Sequence, residues 1–249
     1  MNVLAWSPDG LTLVSGGDDE MILIHDATTG YVAGRAPQYL PLLDRRLAAN
    51  PTNAADWRLR GEIDADLENW NEAAADFEKY LALDPRQHWV SLGYWVAGPY
   101  PEDLAKSCPP ERVSFPNGLP TGTEENAAPP KWEGVPMNAC GFVNFGALFA
   151  QAEHISAYGL QRVYSPRQQD VAILLGSDDQ VRLWLNGKQI HEILDQGTAV
   201  PDARAVPATL KAGWNTLLAR VANVTGDHAL YLRLSDSASD RRRALEETK

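Results

Sequence analysis

The spacing of hydrophobic and polar positions changes period along this chain and divides it into segments. Over residues 1–35 apolar residues come in short runs broken by turns. In "MILIHDATTG", Met21, Leu23 and His25 alternate with Ile22, Ile24 and Asp26, the period of two that marks a strand. Pro8-Asp9-Gly10 reads as a turn, because Pro sets φ and Gly accepts positive φ. From 38 the period becomes helical. "YLPLLDRRLAANP" places Leu40, Leu43 and Leu47 on one face, and the next stretch carries Trp57, Gly61, Trp70, Ala73, Phe77 and Tyr80 before Pro85 ends it. After Pro85 the strand period returns. "HWVSLGYWVAGPYP" alternates and stops at Gly98-Pro99, and 101–135, rich in Pro, Gly and Asn, is predicted as a long crossing loop.

From 142 onward strands recur: "FVNFGALF", "ISAYGLQRVYS", "QDVAILLGS", "QVRLWLNG", "KQIHEI", "ARAVPATL", "GWNTLLARVANV" and "HALYLRLSD". In the last, Leu230, Leu232 and Leu234 face one way and Tyr231 and Arg233 the other. Many strands separated by turn residues predict an antiparallel β-sandwich. The fold class expected is therefore multidomain α+β: a partial β-blade at 1–36, helices at 37–87, a β-sandwich at 88–236 and a charged tail at 237–249.

Three resemblances attach to these segments. Ser7-Pro8-Asp9-Gly10, Ser15-Gly16-Gly17-Asp18-Asp19, Ile24-His25-Asp26 and Thr29-Gly30 resemble one blade of a WD-repeat β-propeller, with His25 where the usual Trp-Asp pair has its tryptophan. A lone blade leaves an apolar face and two edges uncovered. The resemblance thus implies either that the chain is the end of a longer protein, with Met1 an internal start, or that the blade packs on the next domain. Residues 53–85 resemble a tetratricopeptide repeat, preceded by the second helix of another. Gly61 and Ala73 sit where two antiparallel helices approach, Phe77 and Tyr80 are core knobs, and Pro51 and Pro85 lie one repeat apart. "LLGSDDQVRLWLNGKQI", "LKAGWNTLLARVAN" and "ALYLRLSD" resemble galactose-binding-like jelly rolls and the protective-antigen type of β-sandwich. The combination resembles the tail of multidomain bacterial proteins, in some of which such repeats follow a serine/threonine kinase. That implies a protein partner, or propeller and kinase domains upstream.

Charge narrows the function. The chain has 249 residues and a net charge of -11, which opposes general binding of nucleic acid or anionic membranes. The basic run Arg241-Arg242-Arg243 is followed by Glu246 and Glu247 and reads as a solvated helix end. No apolar run reaches the length of a membrane span, and the N-terminus lacks signal-peptide regions, so a soluble cytoplasmic protein is expected unless the natural chain begins upstream. Cys108 and Cys140 are two cysteines that could pair but do not make a disulfide framework.

Candidate chemistry centres on Asp178 and Asp179, between two strand-like runs of an expected antiparallel meander whose second turn is Asn186-Gly187, suited to type I′. One reading is structural, with the carboxylates accepting backbone N–H bonds at a chain reversal. The other is implied by the resemblance: in lectins of the protective-antigen type an adjacent Asp pair holds calcium and calcium holds a sugar. Asp178 and Asp179 would then be metal ligands. Calcium needs six to eight oxygens, so Asp195, Asp202 or Asp227 would have to help. Trp132, Trp184 and Trp214 could stack on a sugar or pack the core, and Trp132 is the aromatic assigned to the ligand site. The histidines, five in number, show no metal spacing, and no catalytic motif stands out. The leading expectation is a non-catalytic interaction scaffold without a cofactor. Next come a carbohydrate-binding module, with calcium through the Asp pair, and a glycoside-acting enzyme with an unrecognised carboxylate pair.

Overall fold

A computed structural model of the chain describes residues 3–6, 12–16, 22–26, 36–111, 130–135 and 140–247. The Pro8-Asp9-Gly10 turn, the Gly17-Asp18-Asp19 turn, the expected strand at 31–35 and positions 112–129 of the long loop lie outside those residues. The chain forms two compact units, Met1–Pro85 and Arg86–Lys249.

In the first unit, β1 (Val3–Trp6), β2 (Thr12–Gly16) and β3 (Ile22–Asp26) pair in order as an antiparallel sheet. Helices α1 (Ala36–Ala49), α2 (Ala54–Asp66) and α3 (Trp70–Leu83) follow. Asn53 starts α2 by accepting a bond from Asp56 N through its side chain, which meets one of the donors a helix N-terminus leaves open. Leu43, Leu59 and Ile63 form the core between α1 and α2, with Leu40 partly buried beside them. Phe77 is fully buried and Tyr80 nearly so. Arg60 ties the three helices together. Its Nε and Nη2 each lie 2.7 Å from the buried Asp76 carboxylate, and its Nη1 lies 2.7 Å from Asp44. A two-pronged bond of this kind matches the guanidinium fork to the carboxylate.

The second unit is two antiparallel sheets face to face. Its strands are β4 (Val90–Pro101), β5 (Glu133–Val135), β6 (Phe142–Asn144), β7 (Ile155–Ser165), β8 (Gln169–Asp178), β9 (Gln180–Leu185), β10 (Lys188–Ile193), β11 (Arg204–Leu210), β12 (Gly213–Asn223) and β13 (Ala229–Ser235). One sheet runs β10-β9-β12-β7-β4-β5 and the other β11-β8-β13-β6. The inward residues of alternating strands, among them Tyr94, Val163, Ile173, Leu183, Leu217 and Leu230, make one continuous core. Leu230, Leu232 and Leu234 face that core as the alternation predicts. Tyr94 reaches across it: its hydroxyl lies 2.8 Å from Leu232 O and 3.1 Å from Gly141 O and donates to this pair of carbonyls.

Several expectations change. "FVNFGALF" is not one strand. β6 stops at Asn144, whose side chain accepts from Ala147 N and caps the short helix α4 (Phe145–Leu148). The tail at 237–249 is not simply solvated. Helix α5 (Ala238–Glu247) packs on the four-stranded sheet, with Ala244 buried against Ala172, Leu174 and Ala205. Cys108 and Cys140 are both free, one buried and one exposed. Among the described residues no helix is long and apolar enough to cross a membrane.

The close approach of α2 and α3 yields a test. A Cβ added at Gly61 would stand 2.6 Å from Phe77 Cε1 and 3.1 Å from Asp76 Cβ. Phe77 is fully buried and would have to shift, so overpacking is expected to outweigh the gain in helix propensity. Gly61→Ala is expected to cost about 1–3 kcal/mol in denaturant unfolding, and adding Phe77→Leu is expected to recover part of the loss.

Candidate functional site

The Asp pair does not form the bend of a hairpin. β8 belongs to the four-stranded sheet and β9 to the six-stranded one, so Asp178-Asp179, joined by a cis peptide bond, is where the chain crosses between sheets. The hairpin lies one turn later, between β9 and β10, where Asn186 and Gly187 have φ of 51° and 80° as a type I′ turn requires. Periodicity marks strands but not their sheets, which is why the crossing reads as a meander.

Both carboxylates are nearly buried, with Asp178 8% and Asp179 7% exposed. Asp179 Oδ2 accepts from Val224 N at 2.9 Å and Thr225 N at 3.4 Å, and its Oδ1 accepts from Gly197 N at 3.3 Å. Its own N–H donates to Ala222 O, and Ser177 Oγ donates to its carbonyl. Asp178 accepts a backbone bond from Ala199. The two side chains thus pin the 194–203 loop, which follows β10, and the turn after β12 to the crossing. Gly176 permits the first contact, since a Cβ there would lie 1.9 Å from Val200 O. Burial, and then the Asp179 charge, push the Asp178 carboxyl above its ordinary range. His228 is buried beside Phe145, with Nε2 3.0 Å from Val221 O, and burial holds its pKa below the ordinary value.

This donor set does not fit calcium. Three N–H groups already point at the Asp179 oxygens, and their dipoles present positive ends where a cation would sit. Asp202 is drawn away by Arg233, which it meets at 2.9 and 2.5 Å. Asp227 reaches Asp178 only as a neighbouring charge. Among the described residues no three His, Cys, Asp or Glu side chains gather in a metal-holding group.

Trp132 is not brought to the Asp pair. It packs on the outer face of the six-stranded sheet against a cluster of Cys108, Tyr158, Leu160, Trp184 and Leu218. Trp214 meets Tyr164 edge-on at 5.4 Å. On the same face, Arg220 of β12 is fully buried and all five of its N–H donors are met. Nε reaches Ser156 Oγ (3.0 Å), Nη1 reaches Lys106 O (2.7 Å) and Glu111 Oε1 (2.8 Å), and Nη2 reaches Pro101 O (2.8 Å) and Asp103 O (3.1 Å). Tyr158 donates to the same Glu111 oxygen at 2.6 Å.

Sequence reasoning missed Arg220. Its one signal is an arginine on the alternation of Leu218, Arg220 and Ala222, which does not say whether that face is covered.

The segment that Arg220 holds forms one wall of a recess of about 670 Å³. Glu102, Asp103 and Leu104 line that wall, and His154, Gln180 and Arg182 line the rest. His154 Nδ1 lies 2.8 Å from Glu102 Oε2, and Arg182 bonds Glu192 and donates to Leu104 O at 2.5 Å. Gln180 is next to Asp179, so the pinned crossing and the Arg220 loop together shape this space.

A sequence model of the tetratricopeptide repeat matches residues 32–92. No curated protein matches the chain. Among solved structures, an anti-sigma factor domain-containing protein aligns at 12% identity and a TM-score of 0.37, over 59% of this chain and 44% of its own. Another, from Clostridium clariflavum, aligns at 21% and 0.28, over 34% of this chain and 29% of its own. A family 35 carbohydrate binding module from Clostridium thermocellum aligns at 20% and 0.26, over 33% of this chain and 72% of its own. The chain spans less than half the length of the first two. TM-scores below 0.5 leave all three likenesses without weight for function.

Two measurements probe this architecture. Arg220→Met leaves the Glu111 carboxylate buried without its cation, and a loss of about 3–5 kcal/mol in chemical unfolding is expected, with earlier proteolysis within 101–111. For Asp178 the folded carboxyl holds its proton at pH values where the unfolded one has lost it. Its ionisation therefore opposes folding as pH rises from the ordinary carboxylate value of about 3.9 through the raised one. Asp178→Asn keeps an acceptor for Ala199 and removes the charge. The variant is expected to gain on the parent in melting temperature between mild acid and pH 7, and added calcium is expected to move neither. A calcium-dependent rise in the parent that Asp178→Asn abolishes would overturn the structural role.

Proposed function

We propose that the chain is a non-catalytic binding protein, in which the helices of the first unit contact a protein partner and the sandwich recess holds a carbohydrate without calcium. The match to the tetratricopeptide repeat at 32–92 supports the first part, and three antiparallel strands at β1–β3 support reading 1–36 as part of a WD-type blade. The observation that carries the second part is the recess itself. It is concave, of ligand size, and its walls mix acceptors (Glu102, Asp103) with donors (Arg182, Gln180, His154). A neutral polyhydroxylated molecule needs that mixture, because every sugar hydroxyl both donates and accepts. The volume of about 670 Å³ exceeds what one water-filled crevice requires and falls in the range of small-molecule sites.

The geometry favours binding over glycoside cleavage. Cleavage needs two carboxyl groups facing each other across the bond. Glu102 and Asp103 are adjacent on one wall, Glu102 is bonded to His154, and Asp103 accepts from Ala105 N at 2.9 Å.

The test is a glycan array probed with the whole chain, with calcium and with chelator. Binding to at least one glycan is expected in both conditions, with loss in His154→Ala and Gln180→Ala chains that melt like the parent. Silence of the array, or binding untouched by both substitutions, would remove the recess as the site. Turnover of a bound glycoside would remove the non-catalytic reading.

A further inference from the structure

At the side of the sandwich where the two sheets end, β10 is the edge of one and β11 the edge of the other. A second recess, of about 650 Å³, opens there. Its floor is apolar, made by Val171, Leu185, Ile190 and Ala208, which are core residues or pack against the core. Leu245 of α5 projects over it and is 60% exposed. Arg241 and Arg242, also on α5, line the rim. The only carboxylate in the lining is Asp170, which accepts from Thr209 Oγ1 at 2.7 Å. Arg243 bonds Glu247 at 2.6 Å, whereas Arg241 and Arg242 make no ion pair among the described residues.

These arginines sit on a fixed support. Ser237 Oγ accepts from Asp240 N at the start of α5, Arg243 Nη2 donates to Ala203 O, Glu247 accepts from Ala205 N, and Ala244 is buried under the helix. Among the described residues these two guanidinium groups without an ion pair stand beside an apolar floor in a chain of net charge -11. The occupant that complements both features has an apolar body and an anionic end. An extended peptide would add to an edge strand through main-chain bonds, and on the β11 side Pro207 in mid-strand has no N–H to offer. A small ligand that needs no strand pairing suits the β11 side better.

We propose that this recess binds a soluble single-chain alkyl carboxylate, with the chain on the Val171, Leu185, Ile190 and Ala208 floor and the carboxylate on Arg241 and Arg242. The site is separate from the carbohydrate recess, so either can fail without the other. The test is calorimetric titration of the whole chain with decanoate and with 1-decanol. Saturable binding of one decanoate is expected, at least roughly tenfold tighter than decanol and weakened by salt as exposed charge pairs are. Arg241→Gln with Arg242→Gln, both on exposed positions, is expected to erase the preference for decanoate without lowering the melting temperature, while Gln180→Ala leaves it intact. The assignment fails if decanoate does not bind, if decanol binds equally well, or if the double variant keeps the preference. It also fails if the chain sediments with phosphatidylglycerol vesicles and ignores decanoate, which would make α5 a membrane-contacting helix.

Discussion

A guanidinium with no exposure is tolerable only when every donor finds an acceptor, and Arg220 meets that condition mainly with one segment of chain. Four of its partners, Pro101, Asp103, Lys106 and Glu111, lie between 101 and 111, and the fifth is Ser156 on the neighbouring strand. The charge thus turns a Pro-rich stretch with few apolar anchors into a fixed cover for the sheet. Leu104 and Cys108 are buried in that cover, which also supplies one wall of the polar recess. Replacing such a pair by matched apolar residues is often neutral in stability, so its value here lies in the shape it imposes on the loop.

The Asp178-Asp179 crossing applies the same logic with the opposite sign. A carboxylate pair is buried where the chain leaves one sheet for the other, and backbone N–H groups from two distant loops offset the cost. Positive charge fixes the loop on the outer sheet face, and negative charge fixes the loops at the sandwich end. Gln180 follows the crossing directly, and Arg182 bonds the Arg220-held loop at Leu104, so the two devices meet at the recess. Polar burial therefore shapes this recess, while the apolar core sets the stacking of the sheets.

The two recesses differ in the physics they offer. The one beside Gln180 has walls of mixed polarity and an internal His154–Glu102 bond, the surface the proposed carbohydrate would meet. The one under α5 has an apolar floor and two arginines without an ion pair among the described residues, the surface the proposed alkyl carboxylate would meet. One sandwich can carry both because its strand ends and its sheet edges are built from different residues.

Sequence by itself determined the elements that depend on near neighbours. Alternation marked the long strands from β7 to β13 apart from their sheet membership, helical spacing marked α1 to α3, and the Asn186-Gly187 pair marked the tight turn between β9 and β10, because each reflects local sterics and the period of burial. That Gly61 lies where two helices approach was also legible, since helix contacts recur at fixed offsets, whereas its partner there, Phe77, came from the tertiary structure. Tertiary structure alone decided that β8 and β9 belong to different sheets, that Asn144 converts a strand pattern into a capped helical turn, that α5 lies on the sandwich, and that Trp132 packs with Cys108 away from the aspartates. It alone joined Arg220 to residues about 110 positions away in the chain. Long-range hydrogen bonds of buried charges leave no periodic trace, since their partners are mostly backbone carbonyls and N–H groups that every residue carries whatever its side chain.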